Sequence, residues 1–129
     1  MSATRVIKTE HAPGAVGHYS QGIVANGFLF TAGQVALDPA TGTVIAGDVA
    51  AQAEQVLKNV GAILTAAGAT WGDVVKTTVY LTNMADFVAF NEVYGRVLGA
   101  AHPARSTVAV AGLPRGVMIE IDAVAVVRG

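Results

Sequence analysis

The sequence predicts an α+β domain in which one sheet carries two helices on a single face. The apolar pattern along the chain indicates elements in the order β-β-β-α-β-α-β-β. Two helices are too few to cover both faces of a sheet, which favours the α+β class. The length of 129 residues favours one domain over residues 1–129, long enough for a core without disulfides or a structural metal.

The first third of the chain is predicted to form short strands around a tight hairpin. The segment from Gly14 to Gly22 is irregular, with several glycines and a nearby proline. Asn26-Gly27 lies between two apolar runs, and this dipeptide is a strong indicator of a hairpin. A turn is expected at residues 38–42, which read Asp-Pro-Ala-Thr-Gly. Three strands are predicted here, over residues 3–8, 23–25 and 28–31.

A long amphipathic helix is predicted from Val49 to Ala67, because apolar residues recur there at the spacing of one helical face. Asp48 is placed to cap its start and Gly68 its end. The polar residues of this segment are expected on the outward side of the helix: Gln52, Glu54, Gln55, Lys58 and Asn59.

The second half of the chain predicts a strand, a helix and two closing strands. Residues 74–81 are rich in β-branched side chains, which favours a strand. A helix is predicted over residues 84–98, with Asn83 or Asp86 as its cap. Its apolar residues share one face: Phe87, Phe90, Tyr94, Val97 and Leu98. The closing strands are predicted at residues 107–110 and 117–127.

The last predicted strand carries two carboxylates in an apolar setting. Alternate residues of a strand point to opposite faces, so Glu120 and Asp122 share one face, and the other face is entirely apolar. A carboxylate in such a strand is costly to bury unless a partner compensates it. The sheet face that the helices leave uncovered also carries Val, Ile and Met, and association with other subunits is expected to cover it.

Composition excludes several classes of function. Hydrophobic residues make up 53% of the chain and charged residues only 13%, which favours an oligomer over a small monomer. A net charge of -1 provides no basic surface for nucleic acid or for an anionic membrane. The chain has no cysteine, its histidines lack metal-ligand spacing, and its glycines form no phosphate-binding motif. Without a signal-peptide pattern or a membrane-spanning apolar run, a cytoplasmic protein is expected.

Arg105 is the first candidate for a functional side chain. It follows Pro103 and precedes the strand predicted at residues 107–110. Its planar guanidinium suits a bidentate contact with a carboxylate. The alternatives are a solvated arginine at a strand end or an ion-pair partner for Asp122.

Three further side chains are candidates, each with a structural alternative. Glu120 is suited to hold or activate a water molecule, or is a carboxylate at an oligomer edge or a partner of Arg105. Asn91 lies on or beside the apolar helical face, where its amide either lines a pocket or caps a backbone gap. Tyr19 either covers a ligand pocket or packs within its own loop.

Several segments in one order make the chain resemble the RidA family, also called YjgF, of reactive-intermediate imine deaminases. The resemblance runs essentially from end to end. The segments that carry it are AVGHYSQ (15–21), FTAGQ (30–34), QVLKNV (55–60), VKTTVYL (75–81), PARS (103–106), LP (113–114) and IEIDAVA (119–125).

The resemblance implies a chorismate-mutase-like subunit with a mixed sheet, assembled as a homotrimer with ligand clefts between neighbouring subunits. It implies hydrolysis of 2-imino acids such as 2-iminopropanoate (with its enamine, 2-aminoacrylate) and 2-iminobutanoate to 2-oxo acids and ammonia, without a metal or organic cofactor. Arg105 matches the position that grips the substrate carboxylate, and Glu120 matches the acid that orients the attacking water. The positions that line the pocket match Tyr19, Gly33, Phe87 and Asn91.

Four departures from the usual family pattern bear on substrate range more than on reaction type. His18 replaces a common proline, Ala32 a frequent serine and Thr107 a frequent cysteine, and the segment 95–102 is shorter. Two other interpretations stay open. One is a protein of the same fold that acts on a different small ligand, because fold does not determine function. The other is a non-enzymatic protein that binds metabolites or acts like a chaperone.

Overall fold

The computed structural model describes residues 4–128 and contains the strands and helices in the predicted order. Ala3, the first residue of the predicted N-terminal strand, lies outside the described residues. The strands are β1 (Arg5–Ile7), β2 (Gly22–Ala25), β3 (Phe28–Thr31), β4 (Val74–Leu81), β5 (Ala104–Ala109) and β6 (Ile119–Val126). The helices are α1 (Val49–Ala66) and α2 (Phe87–Leu98).

The six strands form one mixed sheet in the order β1-β2-β3-β6-β4-β5. Every pairing is antiparallel except that of β4 with β5, and α2 makes the crossover between these two strands. Parallel neighbours need such a crossover, because a tight turn reverses the chain. As a result β6 lies inside the sheet and β5 lies at its edge.

Both helices pack on one face of the sheet, as the sequence predicts. Ile119 and Ile121 of β6 are fully buried in one cluster with Val56 of α1 and Phe90 of α2. The alternation predicted for β6 is confirmed, because every second residue is buried and the residues between are half-buried. The face toward the helices, the helix face, is therefore the core, and the other is called the open face below.

The open face displays large apolar side chains. Phe28 and Phe30 of β3 are 41% and 48% exposed, and Val108 of β5 is 42% exposed. Large apolar side chains exposed on a sheet are unfavourable in water and are typical of a face that another chain covers. The location of these side chains agrees with the expectation of subunit association.

The predicted hairpin is confirmed at Asn26-Gly27, which joins β2 to β3. Both residues have positive φ, 51° and 80°. This left-handed backbone matches the twist of the flanking strands, and asparagine and glycine enter it at little cost. The local chemistry of two residues therefore determines this turn.

The caps predicted for α1 are also confirmed. Asp48 accepts a hydrogen bond from the Ala51 N–H at 3.1 Å. Gly68 follows the helix with φ of 81°, a conformation that stops a helix and favours glycine.

Two polar residues of α1 do not lie on its outward side, which corrects the prediction for Gln52 and Asn59. Both are buried. Gln52 accepts from the Met118 N–H at 2.8 Å, and Asn59 donates to the Val35 and Leu37 carbonyls at 3.1 and 3.0 Å. These amides provide partners for backbone groups outside the sheet, a role that helical periodicity does not reveal.

The start of α2 decides between its two predicted caps. Residues 84–86 form a 3-10 turn that leads into the helix, and Asn83 caps this turn by accepting from the Ala85 N–H at 3.0 Å. Asp86 makes no capping hydrogen bond.

Both closing strands begin at other residues than predicted. β5 begins at Ala104 and not at 107, so Arg105 lies inside this strand and not before it. β4 supplies backbone partners along the whole of β5, and the local sequence does not display them. β6 begins at Ile119, because residues 114–116 form a 3-10 turn in which Arg115 has φ of 62°.

Candidate active site

Arg105 lies on the helix face of the edge strand β5 and stacks on aromatic rings of α2. Its guanidinium carbon is 4.8 Å from the centroid of the Tyr94 ring and 5.5 Å from those of Phe87 and Phe90. Nη1 donates to Asn91 Oδ1 at 2.8 Å. Such stacking holds a guanidinium in place without neutralising its charge.

The charge of Arg105 has no carboxylate partner among residues 4–128, where the ion pairs are Arg96–Glu54 and Arg128–Asp73. A guanidinium has five N–H donors, and one contact to Asn91 leaves most of them available. The predicted alternative, an ion pair between Arg105 and Asp122, is therefore not present. A half-buried cation with free, planar donors is suited to bind a carboxylate from solution.

The register of the sheet and the spacing of α2 explain how this cluster forms. Arg105 pairs with Thr77 of β4, and Thr77 Oγ1 is hydrogen bonded to the Tyr94 hydroxyl at 2.7 Å. That contact places the Tyr94 ring beside the arginine. Residues three, four and seven apart share one helical face, so the other α2 partners reach the same side chain. The residues so aligned are Phe87, Phe90, Asn91 and Tyr94.

Thr107 lies two residues after Arg105, on the same face of β5. Its Oγ1 is inaccessible to solvent and has no hydrogen-bond partner within the described residues. A buried polar atom without a partner is uncommon and destabilising. Thr107 is also one of the positions at which this sequence departs from the RidA pattern.

Glu120 lies on the open face of β6, packed against Gly33. Between the pairs Phe30–Val124 and Gln34–Ile121 the register changes by one residue, so the chain bulges within residues 31–33, the stretch that contains Gly33. Bulges of this kind re-aim side chains next to functional sites. A Cβ on Gly33 would overlap the Glu120 carboxylate, so a larger residue here would require the Glu120 side chain to move; the φ of Gly33 is not positive, so space and not backbone conformation is the reason.

Glu120 has two polar neighbours on the open face. Tyr80 of β4 is its register partner, and the Tyr80 hydroxyl donates to Asp122 Oδ2 at 3.1 Å. Burial, and then the negative charge of Asp122, raise the pKa of Glu120. Burial also raises the pKa of Asp122, but hydrogen bonds from Tyr80 and Thr78 and the charge of Lys76 oppose this effect.

Tyr19 lies in the loop before β2 and is 53% exposed. It borders a hollow of about 170 Å³ whose other walls include Gly33, Gln34 and Arg115. Arg115 donates to the Gly42 carbonyl at 3.2 Å and so joins two loops at this hollow. The structure thus places Tyr19 near Gly33.

A larger hollow of about 710 Å³ lies between β1 and the loop of Tyr19. The buried Gln21 organises its wall, because it accepts from the Thr9 N–H and donates to carbonyls of residues 9, 12 and 13. All of its polar atoms are therefore used within the chain.

The predicted site residues fall into two groups on opposite faces of the sheet. Arg105, Phe87 and Asn91 lie on the helix face, whereas Glu120 and Gly33 lie on the open face. Successive residues of a strand point to opposite faces of the sheet. Arg105 pairs with the buried Thr77 of β4, and Glu120 pairs with Tyr80, three residues further along β4. Because three is an odd number, the two side chains point to opposite faces. Within one subunit the two charged groups do not converge on one pocket.

Sequence reasoning missed two side chains at the site. Tyr80 was not singled out, although Lys76, Thr78 and Tyr80 alternate with the buried residues of β4 and so mark a polar stripe. Arg115 was not singled out either, and its left-handed backbone gives no signal in the sequence. No cluster of His, Cys, Asp or Glu within residues 4–128 is arranged to hold a metal ion.

No helix in the described part of the chain is long and apolar enough to cross a membrane.

The chain is similar to known proteins over nearly its whole length. The family model for Endoribonuclease L-PSP matches residues 9–127. A RutC family protein of Synechocystis is 56% identical over 124 residues, which is 95% of each chain. The human 2-iminobutanoate/2-iminopropanoate deaminase is 47% identical over 122 residues, 95% of this chain and 89% of its own length. The crystal structure of E. coli TdcF with bound serine matches with a TM-score of 0.91 and 44% identity, covering 97% of this chain and 99% of the other.

Proposed function

Because this chain belongs to the Endoribonuclease L-PSP family, to which the RidA proteins belong, we propose that it hydrolyses small 2-imino acids to 2-oxo acids and ammonia. The substrates proposed are 2-iminopropanoate, with its enamine 2-aminoacrylate, and 2-iminobutanoate. The human relative at 47% identity is named for this reaction. The observation that carries the proposal is Arg105, a half-buried cation that makes no ion pair with a carboxylate of the described chain.

Arg105 binds the carboxylate that every 2-imino acid carries. Its stacking on Tyr94, Phe87 and Phe90 fixes the plane of the guanidinium, so that two parallel N–H donors face the ligand. The Thr107 hydroxyl, two residues further along the same face of β5, and the Asn91 amide are polar groups beside this guanidinium. Recognition of a small acid therefore requires no metal and no organic cofactor.

Glu120 orients the attacking water and carries its proton. The carbon of an imine beside a carboxylate is electrophilic, so catalysis depends on positioning and proton transfer more than on a strong nucleophile. Water adds to C2 as Glu120 takes one of its protons and passes it to the imine nitrogen, which gives a carbinolamine. Glu120 then moves the hydroxyl proton of this adduct to the nitrogen; the carbonyl forms as the C–N bond breaks, which releases ammonia and leaves the 2-oxo acid.

The reaction requires two copies of the chain around each cleft. In one subunit Arg105 and Glu120 lie on opposite faces of the sheet, so a ligand that contacts both lies between subunits. We propose a homotrimer in which one subunit contributes Arg105, Phe87 and Asn91, and its neighbour contributes Glu120, Gly33 and Tyr19. The exposed apolar side chains of the open face support this assembly.

A coupled assay tests the proposed function. A serine/threonine dehydratase generates the imine, semicarbazide traps what remains, and this protein is added as wild type, Arg105→Ala or Arg105→Lys. We expect wild type to suppress trapping and to speed formation of the 2-oxo acid. Arg105→Ala is expected to lower kcat/KM by about 100-fold or more, because a charged two-point contact is lost.

Arg105→Lys is the matched variant, because it retains the charge and removes the planar fork. We expect its kcat/KM to lie between those of wild type and Arg105→Ala. Circular dichroism is expected to be unchanged in both, since the side chain lies at the sheet edge. Near-normal turnover by Arg105→Ala would contradict the role assigned to Arg105. A wild type that is inactive on every imine tested would contradict the deaminase function and would leave the family resemblance as evidence for the fold alone.

A further inference from the structure

Glu120 and Asp122 form a carboxylate pair on the open face of β6. They lie two residues apart on the same face of one strand, and each is only half-buried. Tyr80 spans the pair, because its backbone is in register with Glu120 while its hydroxyl donates to Asp122 Oδ2 at 3.1 Å. Tyr80 is therefore next to both carboxylates, but its hydroxyl is hydrogen bonded only to Asp122.

The groups that face the two carboxylates are unequal. Asp122 receives a hydrogen bond from the Tyr80 hydroxyl, pairs in register with Thr78, and lies near Lys76. Lys76 is itself held, since its Nζ donates to Ser106 Oγ of the edge strand at 2.8 Å. All of these contacts favour the ionised form of Asp122.

Glu120 has none of these contacts. On one side it packs against the backbone of Gly33, and its charged neighbour is the Asp122 carboxylate. Within residues 4–128 of the same chain no cation pairs with it: Arg105 lies across the sheet, and Arg115 bonds to the Gly42 carbonyl at the loops. In the proposed trimer the Arg105 of a neighbouring subunit faces the same cleft, and it is present alike in the wild type and in every variant at Asp122 or Tyr80. The helices lie on the other face and contribute no charge here.

We propose that Asp122, held by the Tyr80 hydroxyl, is a positioning residue whose negative charge makes Glu120 the proton-exchanging member of the pair. Two acids in such different environments divide their roles, one remaining ionised and the other binding and releasing protons. This inference rests on the proposed function. It assigns roles to Asp122 and Tyr80, which the proposed function leaves without one.

The pair accounts for the proton balance of the reaction. Glu120 receives a proton from the attacking water and passes it to the imine nitrogen, and it then moves the hydroxyl proton of the carbinolamine to the departing nitrogen, so the carboxylate is regenerated when ammonia leaves. A neighbouring negative charge makes Glu120 a stronger base for the first transfer. Burial and Asp122 both raise the pKa of Glu120, which agrees with this role.

The test combines a direct titration with a pH profile of activity. The side-chain carboxyl carbons of Glu120 and Asp122 are followed by ¹³C NMR in the full-length protein as pH is varied. Asp122→Asn removes the charge, Asp122→Glu retains it, and Tyr80→Phe removes the hydroxyl alone. The same proteins are assayed for kcat/KM across the acidic limb of the profile.

In Asp122→Asn we expect the Glu120 midpoint to fall by about half a pH unit, with an equal shift of the acidic limb of kcat/KM. In Asp122→Glu both values are expected to stay near those of wild type. In Tyr80→Phe the midpoint of Asp122 is expected to rise, because the hydrogen bond that favours its ionised form is lost.

An active Asp122→Asn protein whose Glu120 midpoint equals that of wild type would overturn this inference alone. If Asp122→Asn does not fold, an unchanged Asp122 midpoint in Tyr80→Phe would overturn it equally. A wild type that shows the coupling in NMR but no turnover would overturn the catalytic use of the pair together with the proposed function.

Discussion

Gly33 is the residue whose small size the candidate site requires most directly. A Cβ at this position would overlap the Glu120 carboxylate, while the backbone there needs no left-handed conformation. We expect Gly33→Ala to displace Glu120 and to lower kcat by about 10-fold or more, because a shift near 1 Å at a proton-transfer group is costly. Steady-state kinetics with 2-iminobutanoate measure the effect.

Gly112→Ala is the matched control for this substitution. A Cβ on Gly112 meets no atom within 4 Å, and its φ is not positive. We expect its kcat and unfolding midpoint to match those of wild type. Equal kinetics for Gly33→Ala and Gly112→Ala would show that Gly33 does not position the acid.

The ionised Glu120 side chain is expected to lower the free energy of unfolding of the protein at neutral pH. Its folded-state pKa is raised, first by burial and then by Asp122. The fold therefore favours the protonated form, and this contribution to the free energy of unfolding is lost as pH rises through the raised pKa. We expect Glu120→Gln to abolish turnover and to raise the thermal unfolding midpoint at about pH 8, with almost no effect at about pH 3.

Glu92→Gln provides the comparison, because Glu92 is an exposed acid on α2. Its unfolding midpoint should follow that of wild type at both pH values. A Glu120→Gln protein that is less stable than wild type at the higher pH would contradict the assigned cause of the raised pKa.

At the scale of elements, Asn59 joins α1 to the segment that follows β3. Its Nδ2 donates to the Val35 and Leu37 carbonyls, and the residue is fully buried. We expect Asn59→Ala to lower the free energy of unfolding by about 1–3 kcal/mol, because two part-buried carbonyls each lose a hydrogen bond and a fully buried side chain is truncated. Chemical denaturation followed by circular dichroism measures this difference.

Lys58→Ala changes the neighbouring, exposed residue of the same helix and serves as the control. We expect a change within about 0.5 kcal/mol. If both variants lose the same stability, the loss reflects helix propensity and not the contacts of Asn59.

The elements also show how far local sequence determines structure. β4 was predicted with its observed bounds, because β-branched residues and alternating burial coincide there. β5 was predicted too late, because its start depends on backbone partners supplied by β4. Helical periodicity predicts Gln52 and Asn59 on the outward side of α1, whereas both are buried. Their hydrogen-bond partners come from distant parts of the chain, which local sequence does not display.

At the scale of the whole molecule, the open face predicts the state of assembly. Phe30 lies on this face and is 48% exposed in one subunit. We expect the wild type to elute as a trimer, about three times the 13.1 kDa chain mass, in size-exclusion chromatography with light scattering. Phe30→Asp places a charge on the apolar interface and is expected to yield monomers without deaminase activity.

Val88→Asp is the matched control, because Val88 is 72% exposed on α2, away from the open face. It should remain trimeric and active. A Phe30→Asp protein that stays trimeric and active would exclude the open face as the interface.

Local sequence patterns are enough to predict the order of the elements, the hairpin at Asn26-Gly27, the caps of α1 and the alternation of β6. Each depends on interactions among near neighbours, which periodicity and turn chemistry display. Only the tertiary structure placed Arg105 and Glu120 on opposite faces and connected Tyr80 to Asp122. Those relations depend on the register of strands distant in sequence, where a shift of one residue exchanges the two faces.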